Sequence, residues 1–323
     1  MRPARRVALL TLVTVVAAAT TWSAAGGAPV ARPVRSAAPV GPLHVSAAID
    51  VGGAPSSLAV ADGAVWASLG LGGVVRIDPA TNRVTARIEP GGAIVALAAG
   101  FGSVWAVDVF GDRLLRIDPA ANEVVATTQV GALPAGVAVG FGSVWVTSHV
   151  DRSVTRVDPE SGRVASTTRL DWSEIWPGAI AAGPGGIWVV TGGGSEVTRI
   201  DPRTARVDFS LPVGGARSLA TVGDVLWVGL ARESRLMRID RSGATLVAVE
   251  GPRAGGYGPE LTGGEALWHA VPGSVGRLAP PARLQLSRRN HVSAVASASG
   301  DVWVAEQDAE RVLRIRVLTE DRR

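Results

Sequence analysis

The sequence predicts an all-β chain closed into a seven-bladed β-propeller of four-stranded antiparallel blades, on three observations. Tryptophan recurs at positions 66, 105, 145, 188, 227, 268 and 303, at intervals of 35 to 43 residues, the period of a propeller blade. An arginine follows each of them by 9 to 11 residues, at Arg76, Arg116, Arg156, Arg199, Arg238, Arg277 and Arg314. The third observation is at the ends. After Trp303 the last copy offers only three strands, whereas a strand-like run, residues 44–51 (HVSAAIDV), precedes the first copy. That run aligns with the final strand of another copy, residues 124–130 (VVATTQV), so an N-terminal strand is expected to complete the C-terminal blade. Such closure removes a sheet edge that would otherwise be open to aggregation.

Taken from the start, residues 1–25 read as a signal peptide. Arg2, Arg5 and Arg6 precede an apolar run over residues 7–19, too short for a membrane span of about 20 residues. Ser23-Ala24-Ala25 supplies small residues for cleavage. The chain holds no cysteine, which excludes a lipid-anchored N-terminal cysteine and any disulfide. Residues 26–42 read as a disordered Ala/Pro-rich spacer, and residues 43–318 as the propeller. The expectation is a secreted, extracytoplasmic monomer without a membrane anchor.

Residues 137–159 (VAVGFGSVWVTSHVDRSVTRVDP) show the unit: strand, glycine turn, strand centred on Trp145, loop, strand, Asp-Pro turn. Residues 100–119 and 183–202 repeat it. The first strands are built of small residues, such as Leu58-Ala59-Val60 and Val137-Ala138-Val139, because strands near a propeller axis are crowded. The tryptophans are expected to fill the space between blades. The arginines are expected to lay their stems along apolar surface with the guanidinium over an aromatic face. In Asp78-Pro79, Asp118-Pro119, Asp158-Pro159 and Asp201-Pro202, Asp accepts from backbone N–H groups while Pro presets φ, a turn signature. These carboxylates belong to different blades at equivalent places, so they read as structural and no metal site is predicted.

Charge excludes one partner class. The 32 basic residues are all arginine, set against 28 acidic ones for a net charge of +4. They sit at regular strand positions without a basic run, so nucleic acid is not an expected partner.

The units GSVWVT…VTRVDPESGRV and GSVWAV…LLRIDPAANEV resemble the YVTN-type repeats of bacterial secreted propellers, and the whole set resembles the virginiamycin B lyase (streptogramin lyase) family. The resemblance covers roughly residues 44–317 and implies the seven-bladed fold. Val302-Trp303-Val304-Ala305-Glu306 is similar to a Trp-Phe-Thr-Glu phrase in the lyase repeats. The family implies ring opening of a cyclic depsipeptide by elimination, with magnesium polarising the ester carbonyl and a base taking the adjacent proton. The nearest counterpart here of that family's Glu/His pair is Glu265 with His269, flanking Trp268.

On a symmetric scaffold, function is expected where the repeat breaks. The longest interval between repeat tryptophans holds an insertion, residues 171–177 (DWSEIWP). Trp172 and Trp176 are candidates to stack on a ring or sugar, with Glu174 orienting it. The irregular stretch 251–260 holds the only tyrosine, Tyr257, a fourth ligand-binding candidate. The catalytic candidates are His149 and Glu306. All are expected at one end of the ring, with the Asp-Pro turns at the other. Two functions follow: a module binding a small molecule, glycan or protein without a cofactor, or a lyase-like enzyme that uses magnesium at the channel mouth.

Overall fold

The computed structural model describes residues 43–170, 178–231, 235–240, 243–248, 260–263, 266–271, 274–278, 282–286, 291–298 and 300–317. Seven four-stranded antiparallel sheets follow one another along the chain. Each contacts the next through its inner strand, and the inner strand of the seventh contacts that of the first, closing the ring. The inner strands are Ser57–Ala61, Ile94–Gly100, Pro134–Gly140, Ile180–Gly183, Ala216–Val222, Glu260–Thr262 and Val292–Ala298 for blades one to seven. Blade seven has its outer strand supplied by Leu43–Asp50, which pairs antiparallel with Arg311–Val317. Closure therefore runs through the N-terminal strand, as the alignment of residues 44–51 predicts.

The tryptophans hold the blades together. Each second strand is buried along its length in the regular blades, as in Ser103–Asp108 and Ser143–Ser148. From it the Trp faces the following blade. Trp66 packs with Ile94, Val104 and Ile117 of blade two; Trp105 packs with Val144 and Val157 of blade three. The series continues until Trp303 meets Val65 and Ile77 of blade one. Trp66, Trp105, Trp145 and Trp303 are almost wholly out of solvent. Buried aromatic area of this size is the largest single contribution a residue makes to such an interface.

The arginine and the Asp-Pro turn form one device. In blades one to four, six and seven the guanidinium lies over the Trp ring of its own blade, 5.1 to 5.9 Å from the centroid. From there Arg116 donates to the carbonyl of Pro159 at 3.1 Å, and Arg156 to that of Pro202 at 2.9 Å. Arg314 reaches Pro79 in the same way, from blade seven to blade one. Each of these arginines thus ties its tryptophan to the turn of the next blade. In blade five, Arg238 pairs with Asp240 instead. The turn carboxylates accept backbone N–H groups at 2.8 Å, as Asp78 does from Ala80 and Asp201 from Arg203 and Thr204. For Asp118 the N–H groups of Ala121 and Ala120 hold the carboxyl below its ordinary pKa. The left-handed position closing the turn is Asn82, Asn122 and Gly162 in the first three blades but Ala205 in the fourth, at φ 53°.

Near the axis, crowding explains the small residues. A Cβ on Gly100 would stand 2.4 Å from a methyl of Val139, and one on Gly140 2.4 Å from the Cβ of Ala182. Neighbouring inner strands approach so closely there that no side chain fits between them. Blade six departs most from the pattern, with strands of only three or four described residues.

Candidate functional site at the axial channel

Antiparallel alternation sorts the connections onto two ends. Inner strands begin, and second strands finish, at one end; third strands finish at the other, where the Asp-Pro turns lie. At the first end every blade contributes to a cavity of about 280 Å³ around the axis.

The lining can be compared blade by blade, because each repeat Trp has a register partner on its inner strand: Ala59, Ala98, Ala138, Ala181, Ala220, Thr262 and Ala296. Two residues before that partner stand Ser57, Ala96, Gly136, Ala179, Ser218, Glu260 and Ala294, all lining the cavity. Six are small and uncharged, and blade six alone carries a carboxylate. One residue earlier again, blade five places Arg217 where a bulge interrupts the ladder. Glu260 and Arg217 are the two ionisable residues among the described lining. They interact through space, yet neither side chain makes a hydrogen bond or ion pair with a described residue.

Glu260 is half-buried, and loss of hydration dominates its titration. Desolvation raises its pKa to about 7, against the opposing pull of Arg217. A carboxyl so poised, in a concave place and beside one specific charge, is a functional-site candidate. A second cleft, of about 660 Å³, opens on the flank between the outer strand of blade three and blade four. It is larger, and part of its polar lining is paired internally. Thr191, Thr198, Ser210 and Glu196 form one chain of hydrogen bonds, and Thr168 donates to the carbonyl of Ala205.

Of the residues singled out in the sequence, Trp172, Glu174, Trp176 and Tyr257 lie outside the described residues, as does Glu265. Glu306 ends the second strand of blade seven at the channel end, fully buried, with Arg311 donating to it at 2.6 Å. That is the place of Asp108 in blade two, which receives Arg113 at 2.7 Å and the N–H of Ala93 at 3.0 Å. His149 stands in the loop after the second strand of blade three, where burial holds its pKa below the ordinary imidazole value. Blades three and seven are not neighbours in the ring. His269 is buried in blade six at a place where other blades carry Ala or Val, such as Ala67 and Val304. Gly276 makes room for it: a Cβ there would lie 2.7 Å from Nε2. Burial, then Arg283, pushes the pKa of His269 down to about 4, so it is neutral at physiological pH.

The fold is that of streptogramin B lyase. A streptogramin B lyase structure superposes with a TM-score of 0.75 at 14% identity, covering 85% of this chain and 98% of the other. Virginiamycin B lyase from Staphylococcus aureus gives 0.74 at 17% identity, over 85% of this chain and 100% of the other. Hydrazine synthase of Kuenenia stuttgartiensis gives 0.71 at 14%, over 83% and 96%. At the level of sequence, no family model and no curated protein matches. Identities this low carry the fold and not the chemistry, since one propeller scaffold hosts unrelated functions.

The lyase resemblance implies magnesium. Among the described residues no three metal-ligating side chains come together. Glu306 is engaged by Arg311, and His269 faces the interior between strands. The described residues do not fit the ion.

The site that sequence reading passed over is Glu260 with Arg217. Its signal was available: aligning the copies on Trp brings Glu260 into a column of Ser, Ala and Gly. The loops carry the more visible breaks in symmetry, whereas this one lies on an inner strand.

Proposed function

We propose that this chain is a secreted ligand-binding propeller whose ligand is met at the end of the ring where the inner strands begin. One observation carries the reading: a channel made of seven equivalent strands holds a carboxyl and a guanidinium, each at one blade only, with no described partner for either side chain. Scaffold residues recur with the repeat, and these two do not. Glu260 is half-buried with no described hydrogen-bond partner, and Arg217 is exposed beside it, so a ligand entering the cavity can meet both. Trp172, Glu174, Trp176 and Tyr257 are proposed as further contacts on the strength of their places in the chain. The first three join the outer strand of blade three to the inner strand of blade four, and Tyr257 precedes Glu260 by three residues. The described strands that flank both stretches end or begin at the channel end.

A thermal-shift screen of small metabolites and oligosaccharides against the purified chain tests this reading. Compounds that stabilise the wild type but lose that effect in Glu260→Gln or Trp172→Ala, with unliganded melting unchanged, would support it. If every stabilising compound were indifferent to substitutions at the channel end, the reading would fail. Turnover of an ester or lactone panel would replace it with an enzymatic one.

A further inference from the structure

The chemistry of the two channel charges narrows the ligand, and this narrowing rests on the channel end being where ligand binds. We infer that the cavity takes a small zwitterion, an amino acid whose ammonium meets Glu260 and whose carboxylate meets Arg217.

The argument is one of signs and size. Glu260 and Arg217 share a cavity whose other described lining is uncharged, and no ion pair closes between them. A ligand carrying one charge would gain an attraction to one of the two and a repulsion from the other. A neutral ligand would displace water from both charges and return nothing comparable. A ligand bearing both signs pairs with both. Each end also suits its partner. The planar guanidinium of Arg217 offers a fork that matches a carboxylate, and an ammonium offers three donors to the Glu260 oxygens. Because burial raises its pKa to about 7, Glu260 is near half-ionised at neutral pH, and a bound ammonium would hold it ionised.

Volume sets the scale. At about 280 Å³ the cavity lies just below the range of sites for drug-sized molecules, roughly 300–1,000 Å³, a size that suits an amino acid. Ser57, Ser218 and Ala294, at the places equivalent to Glu260, are short and add no competing charge. Leu261 and Val295 stand beside them and offer an apolar surface to an aliphatic side chain.

Isothermal titration calorimetry on the full chain, near neutral pH and at low ionic strength, distinguishes the possibilities. The probes are L-leucine and 6-aminohexanoate as zwitterions of short and long charge spacing, L-leucinamide as a cation, and N-acetyl-L-leucine as an anion. At least one zwitterion is expected to bind about tenfold or more tightly than either singly charged probe. Glu260→Gln and Arg217→Gln should each weaken that zwitterion by about tenfold, with Arg217→Lys intermediate and thermal melts showing all three variants folded. Tight binding of the amide or the N-acetyl compound, lost in one of these variants, would overturn the zwitterion while leaving the channel as the ligand site. Zwitterion binding indifferent to both substitutions would overturn the inference and the channel reading together. If no probe bound at concentrations up to about 10 mM, the ligand class would be wrong, and the metabolite screen would then decide the channel reading separately.

Discussion

Replacing Glu260 by Gln should change how the stability of the ring depends on pH, in a direction the geometry dictates. In the folded chain its carboxyl titrates at about 7, against 4.5 as the unperturbed value. The folded state therefore holds this proton more tightly than the unfolded state. The stability this confers is fully present below pH 4.5 and is lost as pH rises through 7. At roughly 1.4 kcal/mol per pKa unit, the full shift would correspond to about 3 kcal/mol; the group is only half-buried, and solvent screening reduces that to about 2 kcal/mol. His269 titrates in the opposite sense. Its folded pKa is lowered to about 4, so its contribution is present above 6.5 and is lost as pH falls through 4. Because His269 is present in both proteins, it cancels in their difference. Urea unfolding of wild type and variant, followed by fluorescence of the buried tryptophans, should show the variant gaining about 2 kcal/mol on the wild type between pH 5 and pH 8.5. A difference that stays constant across that range would refute the account of Glu260 as a desolvated carboxyl.

Four further outcomes are expected. Trp145→Ala removes a side chain buried against Ile187, Val189 and Ile200, and should cost about 3–5 kcal/mol in chemical denaturation. Asp108→Asn leaves Arg113 and the N–H groups of Ala93 and Gly111 facing an uncharged amide, and should lower stability by about 2 kcal/mol, read as a shift of the urea midpoint. Ala205→Gly relieves a left-handed non-glycine residue and should stabilise by up to about 1 kcal/mol in the same assay, whereas the same change at an ordinary strand alanine destabilises. Deleting residues 43–50 strips Arg311–Val317 of its partner strand and should give oligomers on size-exclusion chromatography.

The fold was legible because propeller symmetry writes each structural residue into the chain several times. One Trp is weak information, but seven at a steady period declare blades, and the missing fourth strand of the last copy declares how they close. The Asp-Pro turns could be read as turns from Asp78 or Asp158 alone. That Pro159 and Pro202 also receive the arginine of the preceding blade could not, since this depends on how far apart neighbouring sheets stand. The site was legible only in part, for the converse reason. Glu260 occurs once, and its meaning comes from six small residues at the same height in other blades, which only strand register brings into one ring. Glu306 was legible as an acidic residue closing a Trp strand, but its cross-strand ion pair with Arg311, in the same register as Arg113 to Asp108, was not.

The closure of blade seven also governs when the molecule can become itself. The face of blade one formed by Val65, Val75 and Ile77 is covered by Trp303, Ala305 and Val312, together with Ile49 from the N-terminal strand. Its cover is thus made almost last, although the face is made almost first. A ribosome emitting this chain releases an apolar surface that has no native shelter until some 240 further residues have emerged, and the strand at residues 43–50 waits as long for its own partner. Contacts of such sequence separation form slowly, and an intermediate of this kind invites aggregation. The clasp that leaves the finished ring without a loose edge therefore sets a period of vulnerability in the unfinished one. A circular permutant opened between blades three and four would shift that exposure to the face of Trp145, without changing a single contact of the completed ring.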